Sequence, residues 1–383
     1  MLYTDFKGLK ISALGFGAMR LPQTDDNPAN IDKVRTQELV DDAMASGINY
    51  YDTAWGYHDG KSQIVLAECL RKYDRSSYFI TNKFPGYDLS NMPKSEEIFE
   101  KQLELCKVDY FDFYLIHNVN ELNINQYLDP QYGIKDYFVE QVKKGRIKHL
   151  GFSLHGEMDV LKRFAEVYGD AMEFCQLQIN YLDWEFQHAK EKVDFCREHG
   201  WPIIVMEPLR GGKIATMDPD LLSKVNSVGK ERTPVRWAFS FLQSIPGIMT
   251  TLTGMSEMSQ QQEKISYYKD ADVLSDKEFG AILEVGREIT AKTSIPCTAC
   301  RYCTPKCPKE LDIPTLIARY NELLYNKDKF EFVTTFSMMG TPKDKWMTAC
   351  IGCGACTKVC PQSIDIPQVM KDFARDLKER SGI

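Results

Sequence analysis

Between residue 10 and about residue 268, short apolar runs alternate with longer amphipathic stretches. The runs are SALGFGAM, NYYDTA, YFITNK, YFDFYLIH, IKHLGFS, FCQLQIN, PIIVMEP and MTTLTG, each short enough to be a buried strand. Between them lie segments such as TQELVDDAMASG, SEEIFEKQLELCK and EFQHAKEKVDFCREHG, with apolar residues at helical spacing. Two of these end in glycine, a common helix stop. Strand and helix candidates in alternation predict a parallel sheet. Eight units in roughly 250 residues fit a closed (β/α)8 TIM barrel better than an open doubly wound sheet. The open sheet would want a glycine-rich fingerprint after its first strand, and GFGAMR is not one.

The pattern changes after the barrel-like region, 1–268. Residues 269–293 read as a helical connector. Residues 294–383 read as a small, mostly helical module that holds eight of the chain's 12 cysteines. One or two helices are expected in 313–345, and KDFARDLKER looks like a final charged helix.

Composition narrows the setting. A chain of 383 residues suits one large and one small domain, and 43% apolar residues suffice for a sizeable core. A net charge of −7 offers no basic footprint for nucleic acid. No apolar run approaches the roughly 20 residues of a membrane span. The start, MLYTDFKGLKIS, lacks the apolar stretch of a secretion signal. The simplest expectation is the cytoplasm, where thiols stay reduced. The cysteines then need an explanation other than disulfides. Cys69, Cys106, Cys175 and Cys196 lie among apolar neighbours and read as small core residues.

The other eight form two runs, CTACRYCTPKCPKELDIP from Cys297 and CIGCGACTKVCPQSIDIP from Cys350, 53 residues apart. Nine of the eighteen aligned positions are identical, four of them cysteines. Each run has the spacing C-x2-C-x2-C-x3-C-P. Zinc also uses paired C-x2-C, but it pairs two cysteines with two distant ones. Three so close, plus a fourth before proline, is the pattern of a 4Fe–4S cluster. The segment resembles a bacterial two-cluster ferredoxin, although Cys350 follows Cys307 by 43 positions, more than a compact ferredoxin needs. In such ferredoxins the fourth cysteine of each run serves the other cluster. The resemblance therefore implies one cluster on Cys297, Cys300, Cys303 and Cys360, and a second on Cys350, Cys353, Cys356 and Cys307.

In a TIM barrel, chemistry sits where strands end and loops begin. Strand two ends in DTAWGYHDG, strand three in TNK and strand four in LIH, which delivers Asp52, Tyr57, Lys83 and His117 to the mouth. A phenol titrates near 10 unperturbed, too high for an acid at neutral pH. A nearby ammonium is expected to lower that value, and a carboxylate keeps the ammonium charged and placed. A histidine beside the phenol can orient a carbonyl oxygen or share its proton.

These motifs, with LGFGAMRL at strand one and GFS at strand five, resemble the aldo-keto reductase family over residues 1 to about 268. The resemblance implies Tyr57 as general acid, Lys83 as its activator, Asp52 as the lysine's partner and His117 as the orienting residue. It implies carbonyl reduction, or alcohol oxidation, with NADP or NAD. Trp55 and His58 are expected to line the substrate pocket, and His155 also stands at the mouth. His149, His188 and His199 read as structural or solvated.

For the dinucleotide, the likeness points to Gly17, Ala18 and Met19 at strand one, and to Ser153 and Gln178 for the nicotinamide amide. The asparagine usual after the serine is Leu154 here, and Met206 stands where the family has a tyrosine under the ring. Leu209, Arg210, Gly211 and Lys213 in PLRGGK fit a pyrophosphate clamp. Gly254, Met255 and Ser256 open a helix N-terminus suited to a phosphate. Glu257 and Gln260 stand where basic residues for a 2′-phosphate would be, so NADPH and NADH stay open. So does a flavin in the space the missing aromatic frees.

Three functions fit: a nicotinamide-dependent carbonyl reductase with an accessory ferredoxin-like module, a redox partner protein being left open; a ferredoxin-linked, flavin-assisted oxidoreductase; and a nucleotide-binding barrel whose structural clusters report redox state. The complete set of Asp52, Tyr57, Lys83 and His117 argues against the third.

Overall fold

A computed structural model describes residues 1–295, 297, 301, 303–325, 332–360 and 363–382. It divides into two compact units, Met1–Leu283 and Glu284–Ile383. None of the helices described is long and apolar enough to cross a membrane.

The first unit opens with an antiparallel hairpin, β1 (Tyr3–Phe6) and β2 (Leu9–Ser12). Lys7 and Gly8 turn between them with φ of 52° and 84°, the doubly left-handed turn that matches strand twist. The strand count taken from the sequence omits this hairpin. Its signal is there, a Lys-Gly pair between two runs of alternating polarity. Eight strands follow: β3 (Leu14–Gly17), β4 (Tyr50–Asp52), β5 (Phe79–Phe84), β6 (Phe111–Val119), β7 (Ile147–Leu154), β8 (Phe174–Gln178), β9 (Ile203–Met206) and β10 (Ile248–Thr253). They pair in parallel and in chain order, and β10 closes on β3. All eight apolar runs became barrel strands, as their length and spacing predict.

Phe6 and Ile11 of the hairpin pack on Tyr50, Phe113, Phe174, Ile204 and Met249, residues near the starts of their strands. The hairpin thus plugs the N-terminal end of the barrel and leaves chemistry to the C-terminal end. His149, which bonds Glu173 at 2.7 Å and meets Phe6 edge-on at 4.9 Å, belongs to that plug. The outer helices bury one face each. Ser95–Cys106 turns Ile98, Phe99, Leu103 and Cys106 inward and keeps Glu96 and Glu97 in its first turn, where the helix dipole favours anions. The four scattered cysteines are all buried.

Past β10, Arg232 ties the chain back to the barrel. Its guanidinium reaches Asp272 at 2.9 Å and Glu278 at 2.7 Å, and Arg236 and Ser240 also bond Asp272. These bonds pull both carboxyls well below their ordinary range, Glu278 to about 2. The helix Asp276–Thr293 starts from this anchored point.

The second unit is a helical repeat. Helices Ile313–Tyr325 and Ile366–Ser381 begin 53 residues apart, each at an Ile-Pro pair, with Phe332–Met339 between them. The two cysteine runs repeat their backbone at the same offset. Arg301 and Gly354 are left-handed, as are Glu310 and Ser363. Short 3₁₀ turns occupy Thr304–Lys306 and Thr357–Val359. Tyr320 stacks on Phe373, its counterpart, with centroids 5.1 Å apart. Leu311 and Ile364, and Ile313 and Ile366, are buried in one core. The half-repeats read in the sequence are therefore folded alike and pack on each other.

Candidate functional site

Strand alternation decides what the barrel mouth receives. In β5, Asn82 turns outward and Lys83 inward. Asn82 Nδ2 donates to Gln63, while its oxygen accepts from Gln102 Nε2 and from the Lys83 backbone N–H at 2.9 Å. Gln102 also donates to the Lys83 carbonyl, and Tyr114 donates to Gln102 at 2.6 Å. The backbone of Lys83 is thus clamped on both sides by residues the sequence motifs did not point to. Its side chain, 0% exposed, donates to Asp52 Oδ1 at 2.6 Å and to the Thr53 carbonyl at 2.7 Å. Burial pushes the Asp52 carboxyl up and the Lys83 ammonium down, and their mutual attraction opposes both shifts.

Tyr57 stands above this pair, with the Lys83 ammonium 4.9 Å from its ring centroid. His117, from β6, meets Tyr57 edge-on at 6.3 Å and Tyr87 at 5.4 Å. The four residues picked from strand ends therefore share one site, joined by Tyr87. One expectation fails. Burial, with Asp52, Tyr87 and Glu207 adding to it, raises the Tyr57 phenol well above its ordinary value. The ammonium does not lower it, because burial outweighs it and the Asp52 carboxylate adds to the rise. The phenol stays protonated, the state a donor needs. Burial and Lys83 also hold His117 well below its usual range, so its ring is neutral. Burial, with smaller contributions from Lys192 and Lys83, pushes His155 down to about 4. His58, expected to line the pocket, engages both ring nitrogens in the loop after β3. Its Nε2 accepts from the Leu21 N–H and its Nδ1 bonds the Pro28 carbonyl, pinning the loop after β3.

The nucleotide residues are placed unevenly. Gly17, Ala18 and Met19 follow β3; Ala18 is buried and Met19 is exposed. A side chain at Gly17 would stand 3.3 Å from the Thr253 carbonyl, and one at Gly254 would stand 2.9 Å from Arg20. Glycine lets the ends of β3 and β10 and the Arg20 side chain pack closely here. Ser153, fully buried, accepts from the Asn118 N–H where β6 shifts register. Gln178 donates to Asp183 at 2.9 Å. Arg210, expected in a pyrophosphate clamp, is buried, with Nε 2.9 Å from Asp183 Oδ1. Its loop still presents backbone, since Arg210, Gly211 and Gly212 are all left-handed. Leu209, Lys213 and Met206 are half-buried. Met255 is buried and can offer only its backbone. The Ser256 N–H already meets Gln260, and its hydroxyl donates to the Arg20 carbonyl. A cation missed in the sequence arrives here. Arg35 bonds the Ser256 carbonyl and pairs with Glu257 at 2.6 Å. It lies 221 residues from Ser256, and only closure of the barrel brings it near.

In the second unit, a small open pocket is lined by Cys307 of the first run together with Cys350, Cys353 and Cys356 of the second. These are the four thiols assigned to one cluster. Leu311, Ile313, Ile366 and Met370 supply its apolar wall. Among the described residues, no three Cys, His, Asp or Glu side chains converge on a single ion. The thiols border a volume, which suits a multi-atom cluster better than one zinc. Cys297, Cys303 and Cys360 of the other set pack against the same core, and Cys300 lies outside the described residues.

Comparison with known proteins agrees with both halves. Residues 13–287 match the family model described as the aldo/keto reductase family. The chain belongs to the aldo/keto reductase family. Residues 296–364 match a 4Fe–4S dicluster domain. L-galactose dehydrogenase of Arabidopsis thaliana is 25% identical over 317 residues, 75% of this chain and 95% of that protein. The NADH-specific methylglyoxal reductase of Escherichia coli is 22% identical over 221 residues, 53% of this chain and 65% of that protein. An aldo-keto reductase from Klebsiella pneumoniae, solved with NADPH, superposes with a TM-score of 0.60 at 16% identity, over 74% of this chain and 95% of that one. This aldo/keto reductase is therefore an oxidoreductase that carries an iron–sulfur domain.

Two outcomes follow from this geometry. His117 and His155 are both depressed, so they are neutral above their shifted values and gain protons only well below the ordinary 6.5. Carbonyl reduction should be flat from about pH 6 to 8, where an ordinary imidazole would titrate. A limb centred near 6.5 in the rate profile would contradict the assignment. In anaerobically purified protein, iron and acid-labile sulfide should each approach about eight per chain, four for each cluster. Cys307→Ala should damage the cluster shared with Cys350, Cys353 and Cys356; zinc in place of iron would refute the cluster reading.

Proposed function

We propose that the barrel reduces a small-molecule carbonyl with a nicotinamide dinucleotide, and that the dicluster domain exchanges single electrons. The observation that carries the first part is the phenol of Tyr57, held protonated beside a buried Lys83–Asp52 pair and a neutral His117. The residues at the mouth fit a dinucleotide. Gly17 and Gly254 bring backbone close together at the ends of β3 and β10, and Arg210, Gly211 and Gly212 form a left-handed loop after β9 with exposed glycine backbone. The bound nicotinamide would supply a hydride to the carbonyl carbon.

The chain's own residues manage the oxygen. As the carbonyl gains negative charge, Tyr57 donates its proton to that oxygen and leaves an alcohol. The Lys83 ammonium, 4.9 Å from the ring centre, stabilises the phenolate that remains. Asp52 and the Thr53 carbonyl keep the ammonium aimed and charged. His117, neutral, steers the substrate oxygen without competing for the proton. Low dielectric around the site strengthens each of these effects.

A second reading rests on Met206. The end of β9 presents a thioether where an aromatic ring would pack under nicotinamide, which leaves room for a flavin. The reading is decided by incubating anaerobic protein with NADPH or NADH and a panel of aldehydes and ketones. Carbonyl-dependent loss of nicotinamide absorbance supports the first reading; tightly bound flavin in extracts supports the second.

Cofactor choice has its own test. Arg35 is near the loop where a 2′-phosphate would lie, but Glu257 is paired with it. NADH and NADPH should then bind within roughly a factor of ten, about 1.4 kcal/mol. Arg35→Ala should weaken NADPH and spare NADH. Tight NADPH-only binding that survives this substitution would show that another cation serves the phosphate.

A further inference from the structure

We propose that the lip of the pocket around Cys353 is the docking site of an acidic one-electron carrier protein. The proposal rests on the redox reading of the dicluster domain given above. Three observations meet at this lip. First, it is thinly covered. Cys353 is exposed, and Ile351 beside it is 60% exposed. Gly352 and Gly354 are left-handed with open space where a side chain would stand, so among the described residues neither flank screens the Cys353 thiol.

Second, the lip is basic. Lys306 and Lys309 line the same pocket and are exposed, and among the described residues no carboxylate lines it. Neither lysine makes an ion pair among the described residues. The neighbouring Glu310 is paired with Lys345 at 3.1 Å. Third, the charge is unevenly distributed. Residues 284–383 hold 15 Lys and Arg against 12 Asp and Glu, while residues 1–283 hold 32 against 42. Two loaded clusters, each about −2 with its four thiolates, would offset that small excess, so the local pair Lys306 and Lys309, rather than the domain's net charge, is what an acidic partner meets.

A small apolar spot inside a charged rim suits a brief encounter. Electron-transfer complexes bury little area and depend on charge for their on-rate. The step is simple: one electron leaves the reduced carrier and one enters the domain through the Cys353 side, with no bond made and no proton moved. The carrier's chemistry is that of a small acidic ferredoxin or flavodoxin.

The test uses the full-length holoprotein without oxygen. The probes are an acidic two-cluster ferredoxin and, separately, reduced methyl viologen, which needs no docking surface. Binding of oxidised ferredoxin to oxidised protein is measured by calorimetry, and bleaching of the cluster band by stopped flow. Ferredoxin should bind, and its reduction rate should fall at least about tenfold with added salt and in Lys306→Glu/Lys309→Glu. The viologen rate and the iron content should not change. Ferredoxin binding and rate indifferent to the two lysines would overturn the docking site. So would equal slowing of both reductants, which would mean that the lysines only neutralise the thiolates. If viologen reduces the protein but ferredoxin does not, docking fails while the redox reading stands. If neither reduces it, the redox reading fails and the docking site with it.

Discussion

A lysine with no exposed surface is the constraint around which the barrel is arranged. The ammonium of Lys83 cannot remain charged in that place unless a carboxylate and an oxygen meet it, and Asp52 and the Thr53 carbonyl do. Removing one partner of such a pair strands a buried charge, typically at a cost of about 3–5 kcal/mol. The geometry must therefore be rigid. Asn82 and Gln102 fix the lysine's backbone from outside, and Tyr114 fixes Gln102. Strand pairing places Asp52 opposite Thr81, two residues before Lys83. The hairpin at the other end keeps the barrel filled below them. Tyr57 and His117 acquire their protonation states from this arrangement: burial keeps the phenol protonated and the imidazole neutral.

Much of this was legible in the chain. Strand runs are short and apolar, so periodicity and length reveal them without a template. Asp52, Lys83 and His117 are visible because each stands at the end of such a run. Tyr57 follows five residues after Asp52 in a loop too short to carry it elsewhere. What sequence could not deliver were interactions made by closure. Arg35 reaches Ser256 only because β10 pairs with β3. Arg210 looks like a phosphate clamp in PLRGGK, yet Asp183, 27 residues earlier, takes it into the core. His58 looked like a pocket residue from its place beside Tyr57, but the 18–31 loop folds back onto it. The sign of the Tyr57 shift was missed for a related reason. A nearby ammonium is evident from sequence, whereas the depth of burial that outweighs it is not.

The second unit solves a different problem with a repeat. Two half-units of the same backbone, stacked through Tyr320 and Phe373, set thiols from both runs around one pocket. Left-handed residues at Arg301 and Gly354 let the chain wrap tightly between cysteines. Hydride chemistry moves electrons in pairs and iron–sulfur chemistry moves them singly. The proposed roles of the two units therefore call for two kinds of partner, a small molecule and a single-electron donor or acceptor.

The barrel's proton donor is the central claim, and Tyr57→Phe tests it most directly. The substitution keeps the ring, its packing on His117 and the cation near its face, and removes only the hydroxyl. Nucleotide affinity and cluster absorbance should be unchanged, while nicotinamide-dependent reduction of an accepted aldehyde or ketone falls by about 10² to 10⁴. A variant that turns over as fast as the parent would contradict the account.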